Sequence, residues 1–126
     1  MNPRTFRHES RDDYLETILR ITRAKGYCRA IHIASELSIT KPSVSVELGK
    51  LYQEGLITLD EEKMIRLTDA GLALAEATYA KHRYFKALLT AAGVDEETAE
   101  REACAMEHAI SAESFDKVRA MYPHGD

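Results

Sequence analysis

A thiol, a carboxylate and an imidazole stand close together near the C-terminus, in the run Cys104-Ala-Met-Glu107-His108. Positions i, i+3 and i+4 of an α-helix share one face. At ~100° per residue these three residues and Glu100 fall within an arc of about 100°, while Ala103, Met106 and Ile110 point elsewhere and can pack. Such a donor set suits a borderline divalent ion such as Fe²⁺, Mn²⁺, Co²⁺ or Zn²⁺, and suits Ca²⁺ or Mg²⁺ poorly because of the sulfur. A solvated helix face with a small buried cysteine fits the same pattern, and the spacing alone does not choose between the two.

The elements that must position these residues can be read in order. A first helix is announced by Ser10 followed three residues later by Asp13, a capping-box-like start, and its apolar positions Tyr14, Leu15, Ile18, Leu19 and Ile21 run on to Gly26. Asp13 and Glu16 share its polar face, where Asp13 also serves as a cap and Glu16 as an i, i+4 partner of Arg20. Arg29 to Leu37 predicts a short helix, Ser38-Ile39 a turn, and Thr40 the cap of a second helix with Pro42 in its first turn. Gly55 ends that helix. Leu56 to Leu59, a turn over Asp60 to Lys63, and Met64 to Leu67 predict a β-hairpin. A helix pair followed by a hairpin is the pattern of a winged helix-turn-helix, which binds DNA.

Thr68 caps a long Ala- and Leu-rich helix ending at Gly93, with His82 late in it between Lys81 and Arg83, where a solvated histidine is the plainer reading. Asp95 caps the helix of Cys104, Glu107 and His108, and Ser111 caps a last one containing Phe115, Val118 and Met121. Pro123 to Asp126 reads as a frayed tail. The fold expected is mainly α: a winged helix-turn-helix over residues 1–70, then an all-α unit over residues 71–126.

Composition fits this reading. The 126 residues are 44% hydrophobic and 30% charged, and no apolar run approaches the ~20 residues needed to cross a bilayer. The N-terminus lacks the apolar core of a signal peptide, so a cytoplasmic protein is expected. Cys28 and Cys104 are far apart in sequence and form no CxxC pair, so neither a zinc ribbon nor a disulfide framework is indicated. The net charge of −4 argues against nonspecific nucleic-acid binding, but it is unevenly spread. Residues 1–66 hold 11 Lys and Arg against 10 Asp and Glu, and residues 67–126 hold 6 against 11. A near-neutral first half can bind DNA through a local patch, while the acidic second half is suited to cations.

Together, Asp13-Tyr14-Leu15-Glu16-Thr17-Ile18, Ile33-Ala34 to Leu37, Lys41-Pro42-Ser43-Val44-Ser45, Gly55-Leu56-Ile57, Leu67-Thr68-x-x-Gly71, Lys81-His82-Arg83 and Glu102-Ala103-Cys104-x-x-Glu107-His108-x-x-Ser111 resemble the metal-dependent repressors of the diphtheria toxin repressor and manganese transport regulator family. The likeness runs from about Ser10 to Phe115. It implies a homodimer that senses Mn²⁺ or Fe²⁺ (with Co²⁺, Ni²⁺ or Zn²⁺ accepted in vitro), binds a palindromic double-stranded DNA operator and represses metal-uptake genes, with no membrane partner and no small-molecule substrate. Carried over by position, the metal ligands are Asp13, Glu16, His82, Glu107 and His108, with Cys104 where the manganese type has a glutamate and the iron type a cysteine. The expectation is one well-defined site from Asp13, Cys104, Glu107 and His108, and a weaker position from Glu16 and His82 that shares Glu107.

Two departures stand out. Iron-type members place a carboxylate four residues after the long-helix histidine, where this chain has Lys86, and many carry an SH3-like domain for which this chain is too short. For DNA, Lys41, Pro42, Ser43, Ser45 and Val46 occupy the first turns of the recognition helix, with Val46 suited to a thymine methyl. Lys41, Lys50, Lys63, Arg66 and Arg29 are the candidate phosphate contacts. Glu47 either reads a cytosine or turns away from the groove, and the turn Asp60-Glu61-Glu62 is acidic. Two rivals remain at this point: a winged-helix regulator not gated by metal, and a small metallohydrolase with Glu107 as general base.

Overall fold

The computed structural model describes residues 11–123, so the start signal at Ser10 and the last residues of the tail lie outside it. Six helices and one hairpin follow in the order α1 (Arg11–Lys25), α2 (Ala30–Leu37), α3 (Lys41–Gln53), β1 (Ile57–Leu59), β2 (Ile65–Leu67), α4 (Asp69–Ala91), α5 (Glu96–Glu107) and α6 (Ala112–Met121). The chain forms two compact units that divide after Glu76, inside α4.

In the unit ending at Glu76, α1 packs on α2 and β2, α2 on α3, and α3 on β1. Ile33, Leu37, Val44, Leu48 and Leu51 are buried at helical spacing along α2 and α3, and burying each such side chain contributes about 1.5–3 kcal/mol. Between the two helices Ser38 takes a left-handed conformation (φ 57°). The Thr40 side chain then caps α3 by accepting from the Ser43 N–H at 3.3 Å, and Pro42 occupies the first turn, where its missing N–H costs nothing. The hairpin is antiparallel with Ile57 opposite Leu67 and Leu59 opposite Ile65, and each strand is one residue shorter than the sequence suggests. This is a winged helix-turn-helix.

The hairpin is tied to the start of α4 by the Thr68-x-x-Gly71 element. The Thr68 N–H donates to the Leu56 carbonyl (3.0 Å), its hydroxyl donates to the Gly55 carbonyl (2.7 Å), and the same oxygen accepts from the Gly71 N–H (3.1 Å). Gly71 is buried directly over the Leu56 carbonyl, where a side chain would collide with backbone.

The unit from Ala77 onward is all helical. Tyr84, Phe85, Ala103 and Phe115 form its core, with Ala80, Leu88, Met106, Ile110 and Val118 packed around it. The rings of Tyr84 and Phe115 meet edge to face at 5.5 Å, a geometry that adds about 0.5–1.5 kcal/mol to simple burial. Asp95 caps α5 through the Thr98 N–H, and that bond holds its carboxyl below the ordinary value; Ser111 caps α6 through the Ser114 N–H. One expectation is adjusted. α5 ends at Glu107, and His108 is its C-cap, with φ −91° and an N–H that reaches back to the Ala105 carbonyl. The last turn tightens as helix ends do, and because His108 keeps a right-handed conformation it stays beside Glu107.

Gly71→Ala should lower stability by about 1–3 kcal/mol, because backbone rather than a movable side chain blocks the added carbon. Gly49→Ala, in a helix with open space around it, should be neutral or stabilising by about 0.5–1 kcal/mol. Urea unfolding of both variants checks the contrast.

Candidate metal centre

Within the helical unit, α4 supplies His82, α5 supplies Cys104 and Glu107, and the cap supplies His108. The Glu107 side chain is fully buried. Its Oε1 lies 2.9 Å from His82 Nδ1 and its Oε2 lies 3.6 Å from His108 Nε2, so the two oxygens address two different imidazoles. Donor atoms of Cys104, Glu107 and His108 lie within 4.8 Å of one another, as do those of His82 and Glu107. Met106 and Ala103 turn into the core on the opposite face of α5. The arc expected from the sequence is thus built, and His82, for which a solvated position was the plainer reading, is buried.

His82 has a second carboxylate partner that the sequence reading did not assign to it. Its Nε2 lies 2.9 Å from Glu100 Oε2, and Glu100 Oε1 lies 3.1 Å from Lys86 Nζ. The hydrogen bond from His82 holds the Glu100 carboxyl far below its ordinary value of 4.5, to about 2, against the opposing effect of partial burial, and the charges of His82 and Lys86 act in the same direction. The signal for this contact was weak but present: Glu100 stands one turn before Cys104 on the same face, and Lys86 one turn after His82.

Asp13 and Glu16 belong to the other unit. They lie one turn apart on α1, both buried, and Glu16 Oε2 pairs with Arg20 Nε at 3.4 Å, the i, i+4 contact expected.

A fully buried carboxylate is costly unless cations or donors balance it. A carboxylate flanked by two imidazoles and a thiol fits a first-row divalent cation, with hard oxygen, borderline nitrogen and soft sulfur all within reach. The donor chemistry therefore suits a transition metal, and the sulfur disfavours Ca²⁺ or Mg²⁺.

On the winged helix, Lys41, Pro42, Ser43, Ser45, Val46 and Lys50 are exposed on α3, and Val46 is 63% accessible although apolar. Glu47 is half-buried. Lys63 and Arg66 are exposed on the hairpin. Arg29 is exposed too, but its Nη1 donates to the Glu62 carbonyl at 3.0 Å, so it anchors the wing turn. Asp60 accepts from the N–H groups of Glu62 and Met64, both at 2.9 Å, which allows Lys63 its positive φ of 63°. The acid at the start of the turn is thus used to fold it.

Residues 8–72 match the family described as "Iron dependent repressor, N-terminal DNA binding domain", and residues 68–125 match "Iron dependent repressor, metal binding and dimerisation domain". The chain belongs to the iron-dependent repressor family. Within this family, the "Transcriptional regulator MntR" of Escherichia coli O6:H1 is 34% identical over 113 residues, covering 90% of this chain and 73% of that protein. The "HTH-type transcriptional regulator MntR" of Bacillus subtilis is 28% identical, covering 86% and 77%. Among solved structures, T. acidophilum IdeR superposes with a TM-score of 0.79 at 27% identity over 90% of this chain, which spans about half (54%) of that chain's length. The chain is thus a metal-sensing, DNA-binding regulator with a dimerisation domain, in a family of transcriptional regulators rather than enzymes. That removes the metallohydrolase, and the match to a metal-binding domain removes the regulator indifferent to metal. Among the described residues no helix is long and apolar enough to cross a membrane.

The two cysteines should behave differently. Cys28 is buried, and burial pushes its thiol up from 9.0 to about 12, so at pH 8 the native protein should resist iodoacetamide there and react at half-buried Cys104. The unfolded chain gives up the Cys28 proton near pH 9 and the native one only near 12. Stability from this residue is therefore complete below pH 9 and falls between pH 9 and 12, by up to about 1.4 kcal/mol per pH unit. Comparing the pH dependence of unfolding in the native chain and Cys28→Ala measures it.

Proposed function

We propose that this protein is a Mn²⁺- or Fe²⁺-activated repressor of metal-uptake genes, working in the cytoplasm as a homodimer on a palindromic operator. The observation that carries the reading is the buried Glu107 carboxylate shared between two imidazoles beside a thiol. Relatives point the same way: one solved relative is entitled "Structure of the manganese regulator SloR", at 30% identity and a TM-score of 0.74 over 90% of this chain and 54% of that chain.

In this proposal Asp13, Cys104, Glu107 and His108 hold the principal ion, and Glu16 and His82 form a weaker position that shares Glu107. When bound, the ion supplies positive charge among otherwise repelling carboxylates. A ligand set drawn from α1, α4 and the end of α5 makes the first helix part of the sensor. The functional division lies between residues 1–70 and 71–126. A twofold dimer must hold two recognition helices about one DNA turn, ~34 Å, or a multiple apart, and fixing the first helix fixes that spacing.

On the DNA side, Pro42, Ser43, Ser45 and Val46 face base edges, and Lys41, Lys50, Lys63 and Arg66 meet phosphates. Arg29 serves the same surface by holding the wing turn through the Glu62 carbonyl.

Cys104 tunes the choice of metal. A thiolate in place of a bridging carboxylate removes hard oxygen donors and favours metals later in the first-row series, whereas Asp13 and Glu16 favour Mn²⁺ and Fe²⁺. The Co²⁺-loaded protein should show a sulfur-to-metal charge-transfer band that Cys104→Ser lacks. Absence of that band in the unaltered protein removes Cys104 from the ligand set.

A further inference from the structure

His82 is gripped on both ring nitrogens, and the two sides differ. On the Nδ1 side stands Glu107, fully buried and next to Cys104 and His108. On the Nε2 side stands Glu100, whose side chain is half exposed and whose second oxygen is taken by the Lys86 ammonium. A neutral imidazole carries one N–H, and a metal binds the nitrogen that lacks it, so whichever side keeps the proton determines the side that can bind. A cation approaching Nε2 would meet the fixed positive charge of Lys86. One approaching Nδ1 meets the fully buried Glu107 carboxylate, 2.9 Å away.

We propose that Glu100, steadied by Lys86, is a positioning residue for metal binding: it accepts the Nε2–H of His82 and so fixes the tautomer and ring plane that present Nδ1 to the ion. The inference rests on the reading above in which His82 is a ligand. It assigns a role to two residues outside the expected ligand set, and gives Lys86 a function as the charge that keeps Glu100 in place and closes the Nε2 side to a second ion. Carboxylates behind a ligating histidine act this way generally, and removing one costs roughly 10–100-fold in metal affinity.

The test uses the full chain. Long-range proton–nitrogen correlation spectra of protein labelled with ¹⁵N-histidine and loaded with diamagnetic Zn²⁺ should show His82 protonated at Nε2 and metal-bound at Nδ1. Mn²⁺ calorimetry should show the weaker position losing affinity about 10-fold or more in Glu100→Ala. Glu100→Gln, which keeps an acceptor oxygen, should recover most of that loss, and Lys86→Met should lose less than Glu100→Ala. In Glu100→Ala the His82 signals should lose their single Nε2–H form. If His82→Ala leaves Mn²⁺ affinity and stoichiometry unchanged, His82 is not a ligand and the underlying reading falls with this one. If His82→Ala weakens binding but Glu100→Ala keeps both the affinity and the Nε2–H form, only the positioning role is overturned. Metal-bound Nε2 in the unaltered protein overturns it equally.

Discussion

The metal-binding unit depends on one buried charge. Glu107 sits fully enclosed at the end of α5, and removing a carboxylate from water costs several kcal/mol unless donors or cations replace the lost hydration. His82 comes from α4, and His108 sits at the α5 terminus itself, so the helix pairing of Tyr84 and Phe85 with Ala103 does more than make a core. It sets the distance at which the His82 imidazole meets the Glu107 carboxylate. Loosening that packing would separate these side chains as well as lower stability.

The same site shows how a donor set can be tuned without changing its frame. In the proposed ligand set, Glu107 and His108 would suit most first-row divalent ions, so discrimination would fall to their neighbours. Cys104 would add softness on one side. Behind His82, Lys86 and Glu100 form an ion pair 3.1 Å long and partly exposed. On the other unit, the wing shows comparable economy: the acid Asp60 folds the turn and Arg29 ties it down, so an acidic turn coexists with a DNA-reading surface.

Features whose causes are local were legible in the sequence. Thr40, Asp95 and Ser111 cap helices by bonding N–H groups three residues ahead, and such contacts are written into adjacent residue types. The hairpin between Gly55 and Thr68 was also readable, because strand-forming residues flank a polar turn. The arc of Cys104, Glu107 and His108 followed from helical periodicity. What escaped depended on distant segments meeting. The burial of His82 needs α5 beside α4, and its bond to Glu100 depends on the offset between those helices, which no local pattern encodes. The anchoring of Arg29 to Glu62 spans 33 residues. The end of α5 at Glu107 was missed because His108 keeps a near-helical conformation.

The central claim is that metal occupancy controls DNA affinity through this carboxylate and its ligand partners. The most direct test is an anaerobic Mn²⁺ titration followed by fluorescence anisotropy of a DNA fragment selected with the loaded protein, run beside His108→Ala. The account predicts that Mn²⁺ tightens binding of the unaltered protein 5- to 150-fold, about 1–3 kcal/mol of coupling, and that His108→Ala stays a folded dimer whose binding does not respond. Equal affinity in Mn²⁺ and in chelator, or a full response in His108→Ala, would contradict it.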